Sequence, residues 1–319
     1  MHLPDKLAAA LLGAASIVLL CTPVPAQEDT AVFRADARLV LLHATVVDKN
    51  GHLVTNLGRS AFKVFENGAE QELRVFRRED VAVSLALVVD NSGSMRDKRQ
   101  KVEAASIALV KASNRQDEVM IVNFNDEAYE DVPFTGEIKR MEEGLTRIDS
   151  RGGTAMRDAI SMTIDRVKER GKKDKKILLI ITDGNDNTSA ITLEKLIQKA
   201  QESEIVHYAI GLLSEEERRE ARRAKRALDT LTATTGGLVY YPKDLAEVDK
   251  IALQMAHEIR NQYILAYTPK IQTLDGSFRQ IKVAVSGPNR PVVRTRTGYY
   301  ATPEPAKRPP RPPTPSAVR

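Results

Sequence analysis

Asp90-Asn-Ser-Gly-Ser94 puts three oxygen-bearing side chains at alternate positions of one short loop. Asp, Ser and Ser at that spacing can turn three oxygens toward a single centre, and Gly93 lets the chain fold tightly enough to do so. Two other stretches offer matching chemistry. Arg151-Gly-Gly-Thr154 presents a hydroxyl after a flexible pair of glycines, and Asp183-Gly184 presents a carboxylate at the end of an apolar run. Together these are two carboxylates and three hydroxyls. All are hard donors, suited to Mg²⁺ first and to Mn²⁺ or Ca²⁺ as well, and poorly suited to Zn²⁺. So few anionic oxygens leave a dication under-neutralised, with an open position that an incoming Asp or Glu of a protein partner fills well. The competing reading of Asp90 or Ser94 alone is a helix cap. Donors on three loops that all end strands or begin helices favour the metal.

Other chemistries find less support. No Walker lysine, nucleophile elbow or glycine-rich phosphate loop is present. Ser60-Ala-Phe-Lys63 has the S-x-x-K form without its companion motifs, and His257-Glu258 has no second His four positions on. A phosphatase with Asp at a strand end wants a second acid where this chain has Ser92. No residue is therefore assigned to catalysis. A metal-dependent hydrolase or phosphatase stays as the alternative function, beside a structural scaffold of an envelope complex. Asp126 and Asp186 read as solvated or turn-forming loop residues. The basic runs Lys172–Lys176 and Arg218–Arg226 read as solvated surface, the second as a helix laced with Glu.

The elements that must position the donors follow from periodicity. Val81–Val89 is nearly all apolar, as in a parallel strand buried on both faces. After it come a helix carrying Val102, Ala105, Leu109 and Ala112, a strand at Val119–Phe124, a helix after Thr154 and a strand at Ile177–Thr182. A helix near Leu193–Glu202, a strand at Ile205–Ile210 and a helix entered by the capping box Ser214–Glu217 follow. A short strand, Leu238–Tyr241, and a helix over Asp244–Arg260 complete the run. This alternation argues an α/β fold with a doubly wound, mostly parallel sheet, whose ligands sit at the carboxyl ends of the strands. On either side the period changes to two. Val40, Leu42, Ala44 and Val46 alternate before the α/β segment, as do Tyr263, Leu265 and Tyr267, then Ile281, Val283 and Val285, after it. Val292–Tyr300 reads as one last strand. The two flanks are expected to pair into a five- or six-stranded β-sandwich-like unit, since isolated hairpins are marginal in water.

Asp90-x-Ser92-x-Ser94, Thr154 and Asp183-Gly184, in that order, resemble the metal-ion-dependent adhesion site of von Willebrand factor type A (VWA) domains, the type found in integrin I domains. The resemblance implies a six-stranded Rossmann-like sheet, coordination by the two serines and the threonine, and aspartates acting directly or through water. The flanks resemble a bacterial family of VWFA-related proteins, through Phe62-x-Val64-x-Glu66-x-Gly68 before the domain and Tyr267-x-Pro269 and Gly298-Tyr-Tyr after it.

Leu7–Leu20 is apolar but short of the roughly 20 residues of a membrane span, and Val24-x-Ala26 suits a signal peptidase. The expected organisation is a signal peptide over 1–26, an N-terminal β segment over 31–80, the VWA domain over 81–260, a C-terminal β segment over 261–301 and a Pro-rich tail over 302–319. The product is expected to be secreted, periplasmic or in the cell envelope, touching a membrane only through an uncleaved or lipidated leader. Cys21 is the single cysteine and lies in that leader, so the mature chain has no disulfide and no thiolate zinc site. The net charge of +5 includes +3 in the tail, from Lys307, Arg308, Arg311 and Arg319 against Glu304. The remainder is too small to argue for nucleic acid.

Overall fold

The computed structural model describes residues 38–303 other than 79, 113, 147–149, 185 and 214–217. The expected signal peptide, nearly all of the Pro-rich tail and the Ser214–Glu217 capping box lie outside the described residues. Among those described, no helix is long and apolar enough to cross a membrane.

Four strands precede the α/β segment: β1 (Val40–Val47), β2 (Phe62–Glu66), β3 (Ala69–Gln71) and β4 (Leu73–Arg77). Asn67 and Gly68 both take positive φ between β2 and β3, the tight primed turn that an Asn-Gly pair favours. Then follow β5 (Val83–Asp90), α1 (Arg99–Lys111), β6 (Glu118–Phe124), β7 (Ala128–Thr135), α2 (Ile138–Thr146), α3 (Met156–Arg170) and β8 (Lys175–Thr182). After these come α4 (Leu193–Ser203), β9 (Val206–Gly211), α5 (Arg218–Thr235), β10 (Val239–Tyr240) and α6 (Val248–Arg260). The chain ends with β11 (Tyr263–Tyr267), β12 (Phe278–Val285), β13 (Val292–Arg294) and β14 (Gly298–Tyr300).

The α/β segment forms one six-stranded sheet in the order β10-β9-β8-β5-β6-β7, parallel except for β7, which runs antiparallel to β6. Every residue of β5 is buried, because helices cover both faces and successive side chains point to opposite sides. Leu85, Leu87 and Val89 pack with α1, α2 and α6 on one face through Val102, Leu109, Met141 and Met255. Ala86 and Val88 pack with α3, α4 and α5 on the other through Ile160, Ile164, Leu196 and Leu228. The chain leaves β5 for β6 on one side and later returns to place β8 on the other. The carboxyl ends of β5, β6 and β8, with the Asp90, Asn125 and Asp183 loops, therefore lie side by side at the switch point where such sheets take their ligands.

The flanking strands make two four-stranded sheets, β13-β1-β11-β4 and β14-β12-β2-β3, and each contains two strands from either flank. Val40, Leu42, Phe62, Val64, Tyr263, Leu265, Ile281 and Val283 form their shared core. This unit has eight strands rather than the five or six expected from the sequence. The predicted strand Val292–Tyr300 is in fact two, β13 and β14, which pair with β1 and β12 in different sheets. The Thr295–Thr297 stretch carries the chain from one sheet to the other, and its Thr297 amide bonds to Thr234 at the end of α5.

Candidate functional site

The five donors predicted from the sequence sit on three loops at the carboxyl end of the sheet. Asp90 is the last residue of β5 and only 1% exposed. Its Oδ1 accepts the Ser92 amide at 2.8 Å and its Oδ2 accepts the Thr182 hydroxyl at 2.6 Å. Burial pushes its carboxyl up to about 6, against the hydrogen bonds from Thr182 and Ser92 and in the same direction as the neighbouring Asp183 charge. Ser92 Oγ lies 3.2 Å from Ser94 Oγ, and the Ser94 hydroxyl donates to Asp183 Oδ1 at 2.8 Å. Thr154 is buried, and a side chain added at Gly184 would meet the Thr154 hydroxyl at 3.8 Å. The third loop is thus brought against the second.

These separations suit a small hard cation. Six oxygens at about 2.1 Å from Mg²⁺ have neighbours roughly 3 Å apart, and the Ser92–Ser94 and Ser94–Asp183 separations of 3.2 and 2.8 Å bracket that value. Asp90 is a nearly fully buried carboxylate with hydroxyl and amide donors but no cationic partner among the described residues. Such a group favours a bound cation. The set holds only two carboxylates. Among the described residues, no cluster of three or more His, Cys, Asp or Glu could hold a metal, so any metal here depends on the hydroxyls.

The loops are tied to one another through the backbone. The Gly93 amide donates to the Gly152 carbonyl, Arg151 to Asn91, and Ala155 to Asn125. Gly152 has φ +77, and a side chain there would run into the Asp126 carboxylate. Asp126, read from the sequence as solvated, is exposed but braces this loop by accepting the Gly153 amide at 2.7 Å. Asn187 Oδ1 accepts the Thr154 amide at 2.9 Å. Asp186 is more than a turn former. Its carboxylate accepts the Arg157 amide at 2.6 Å, the Arg157 guanidinium at 2.9 Å and the Ser189 hydroxyl at 2.6 Å, fastening the β8–α4 loop to the start of α3.

Lys98 was not singled out from the sequence. Its ammonium forms an ion pair with Asp183 Oδ2. The motif gives no sign of this contact, because Lys98 reaches Asp183 only after the turn at Gly93–Met95 swings it back over the loop.

Residues 85–185 match the model of the von Willebrand factor type A domain. The chain carries a VWA domain. Integrin alpha-11 from Mus musculus is 30% identical over 110 residues, 33% of this chain and 9% of that protein. Integrin alpha-11 from Homo sapiens is 34% identical over 86 residues, 26% of this chain and 7% of that protein. The chain thus spans less than a tenth of the length of the curated relatives it matches. Among solved structures, BatB from Bacteroides thetaiotaomicron is similar at 16% identity and TM-score 0.46, over 56% of this chain and 98% of that one. The VWA match covers β5 from Leu85 to Asp90, both glycines before Thr154, and Asp183.

Proposed function

We propose that this chain is an exported interaction module. In this reading Asp90, Ser92, Ser94, Thr154 and Asp183 of the VWA domain hold a divalent cation, Mg²⁺ first and Mn²⁺ or Ca²⁺ as substitutes. The bound cation supplies an electrophilic open position for an Asp or Glu carboxylate of a protein partner. The observation that carries the reading is the position of the Ser94 hydroxyl, which touches both the Ser92 hydroxyl and the Asp183 carboxylate. Three donors from two loops thereby converge.

The chain's own residues orient and do not react. Thr182 and the Ser92 amide fix both oxygens of Asp90, and Asn187 and Asp126 fix the backbone on either side of Gly153. The four described histidines lie elsewhere: His43 and His207 are buried within strands of the two cores, and His52 and His257 are exposed. Among the described residues no histidine adjoins the donors, which supports binding over turnover. Export rests on the apolar run Leu7–Leu20 and on Val24-x-Ala26.

The test is a carboxylate-bearing peptide passed over immobilised protein in Mg²⁺ and then in EDTA. Binding present in Mg²⁺, and lost both in EDTA and in Asp90→Ala, is the expected result. Equal binding in EDTA overturns the metal-bridged reading. Metal-dependent hydrolysis of phosphoesters that disappears in Asp90→Ala overturns it in favour of an enzyme.

A further inference from the structure

Helix α5 follows β9, so its first turns stand at the same carboxyl edge of the sheet as the donor loops. Arg219, Arg222, Arg223 and Arg226 lie at intervals of three and four, on one face spanning an arc of about 100°. Ala224, Leu228 and Leu231 form a separate, buried face, and the two leucines enter the core. The arginine face turns into an open cleft of about 420 Å³, bounded by the starts of α3 and α4 and floored by Met156, Leu193 and Ala227.

The acid within this cleft is already engaged, since Asp186 pairs with Arg157. Asp229, one turn further along α5, is held by Lys225 and Tyr241. Arg219, Arg223 and Arg226 are exposed and have no side-chain acceptor among the described residues. Like charges at three- and four-residue spacing destabilise a helix, and a surface that only confers solubility mixes both signs along such a face. The described part of this face carries arginines alone, exposed as the sequence led one to expect of a solvated helix.

The cleft adjoins the loop that braces the donor site. Asn187 braces Thr154 and the adjacent Asp186 lines the cleft. Arg157 follows Thr154 by three residues, in the first turn of α3. A chain seated with one carboxylate at the donor loops therefore passes over the arginine face within a few residues. Guanidinium groups match carboxylates in bidentate fashion, and the apolar floor suits an aliphatic side chain set among acids.

We propose that this cleft is a second reading site for the protein partner, taking an acidic stretch with an embedded apolar residue next to the carboxylate that engages the donor loops. The inference rests on the metal-bridged reading for the direction of the partner chain, but the cleft binds acidic peptide in its own right.

The experiment uses fluorescence anisotropy with a labelled peptide that has a leading Asp and a run of Glu interrupted by one Leu. It compares the full chain, an Arg219→Ala/Arg223→Ala/Arg226→Ala variant, the same three positions changed to Lys, and Asp90→Ala/Ser92→Ala. In Mg²⁺ the alanine variant is expected to bind about tenfold more weakly or worse, the summed effect of three exposed charge pairs. The lysine variant should recover only part of the loss, and Mg²⁺ affinity measured by calorimetry should not change. Undiminished peptide binding by the folded alanine variant overturns the cleft. Binding lost in Asp90→Ala/Ser92→Ala but intact in the alanine variant also overturns it while leaving the metal reading in place. The reverse pattern sustains the cleft and removes the metal. If the alanine variant loses inorganic polyphosphate binding but keeps the peptide, the cleft serves a polyanion and the proposal fails.

Discussion

Two cations claim Asp183 if the site works as proposed: the Lys98 ammonium, which is in place, and the divalent ion. Lys98 is a quarter exposed whereas the Asp183 side chain is almost fully covered, so the lysine can swing away and the aspartate cannot. Removing the lysine charge should therefore help metal binding. Lys98→Met is expected to tighten Mg²⁺ several-fold in calorimetry, since a neighbouring positive charge near a protein surface costs a cation about 1 kcal/mol or more. Unchanged or weaker affinity would show that the ammonium does not oppose the ion. At this scale the sequence revealed donor types but not their braces. Asp90, Ser92 and Ser94 announce themselves by spacing, and Thr154 and Asp183 by their places on loops. Lys98, Asp126 and Asn187 act through contacts between loops that are far apart in sequence, and single-residue chemistry carries no trace of such contacts.

Among the elements, buried ones were the most legible. β5, β6 and β8 carry unbroken apolar runs, Leu85–Val89, Val119–Val122 and Ile177–Ile181, because both faces of the sheet are covered. β7 and α2 were not read at all. β7 is an edge strand, mostly part-exposed and interrupted by Pro133. α2 contains Gly144, where a side chain would run into Val132 of β7, so close packing selects a residue that weakens the helical pattern. The junction of α6 with the flanking sheets was equally silent. Glu258 is buried and accepts Arg294 of β13 at 2.7 Å and the Tyr208 hydroxyl at 3.1 Å on Oε1, and the Tyr240 hydroxyl at 3.3 Å on Oε2. Removing one partner leaves a buried charge unpaired. Arg294→Met should lower stability by about 2–4 kcal/mol in urea unfolding. The double variant Arg294→Met/Glu258→Gln should recover part of that loss. Additive losses would mean that the pair does not couple α6 to β13.

The whole molecule adds a pH dependence that no single element shows. His43, in β1, is buried. Burial, followed by the charges of Lys175 and Arg296, drives its pKa from 6.5 down to about 3. His207, in β9, is lowered to about 4, again chiefly by burial. Between these values and 6.5 the unfolded chain takes up protons that the folded chain refuses. Both histidines therefore leave stability intact above about pH 6.5 and erode it as pH falls toward 3. Thermal or urea unfolding followed from pH 7 to pH 4 should show this loss, and His43→Gln should make the slope shallower throughout that range. A slope unaltered in the variant would place the acid sensitivity elsewhere. The pattern of period two in both flanks pointed to strands, and their placement in common sheets depends on pairings such as Val40 with Tyr267 and Val64 with Val283. The strand count escaped the sequence because β3, β13 and β14 are three residues each, too short for alternation to register.

The donor geometry at Asp90, Ser92, Ser94, Thr154 and Asp183 stands or falls with metal binding itself. Calorimetric titration of Mg²⁺, Mn²⁺ and Ca²⁺ into the folded protein, beside Asp90→Ala/Ser92→Ala, measures it directly. The account predicts saturable binding by the wild type that the double variant loses while keeping its fold. Absence of binding by a folded wild type, or equal binding by the variant, would contradict it.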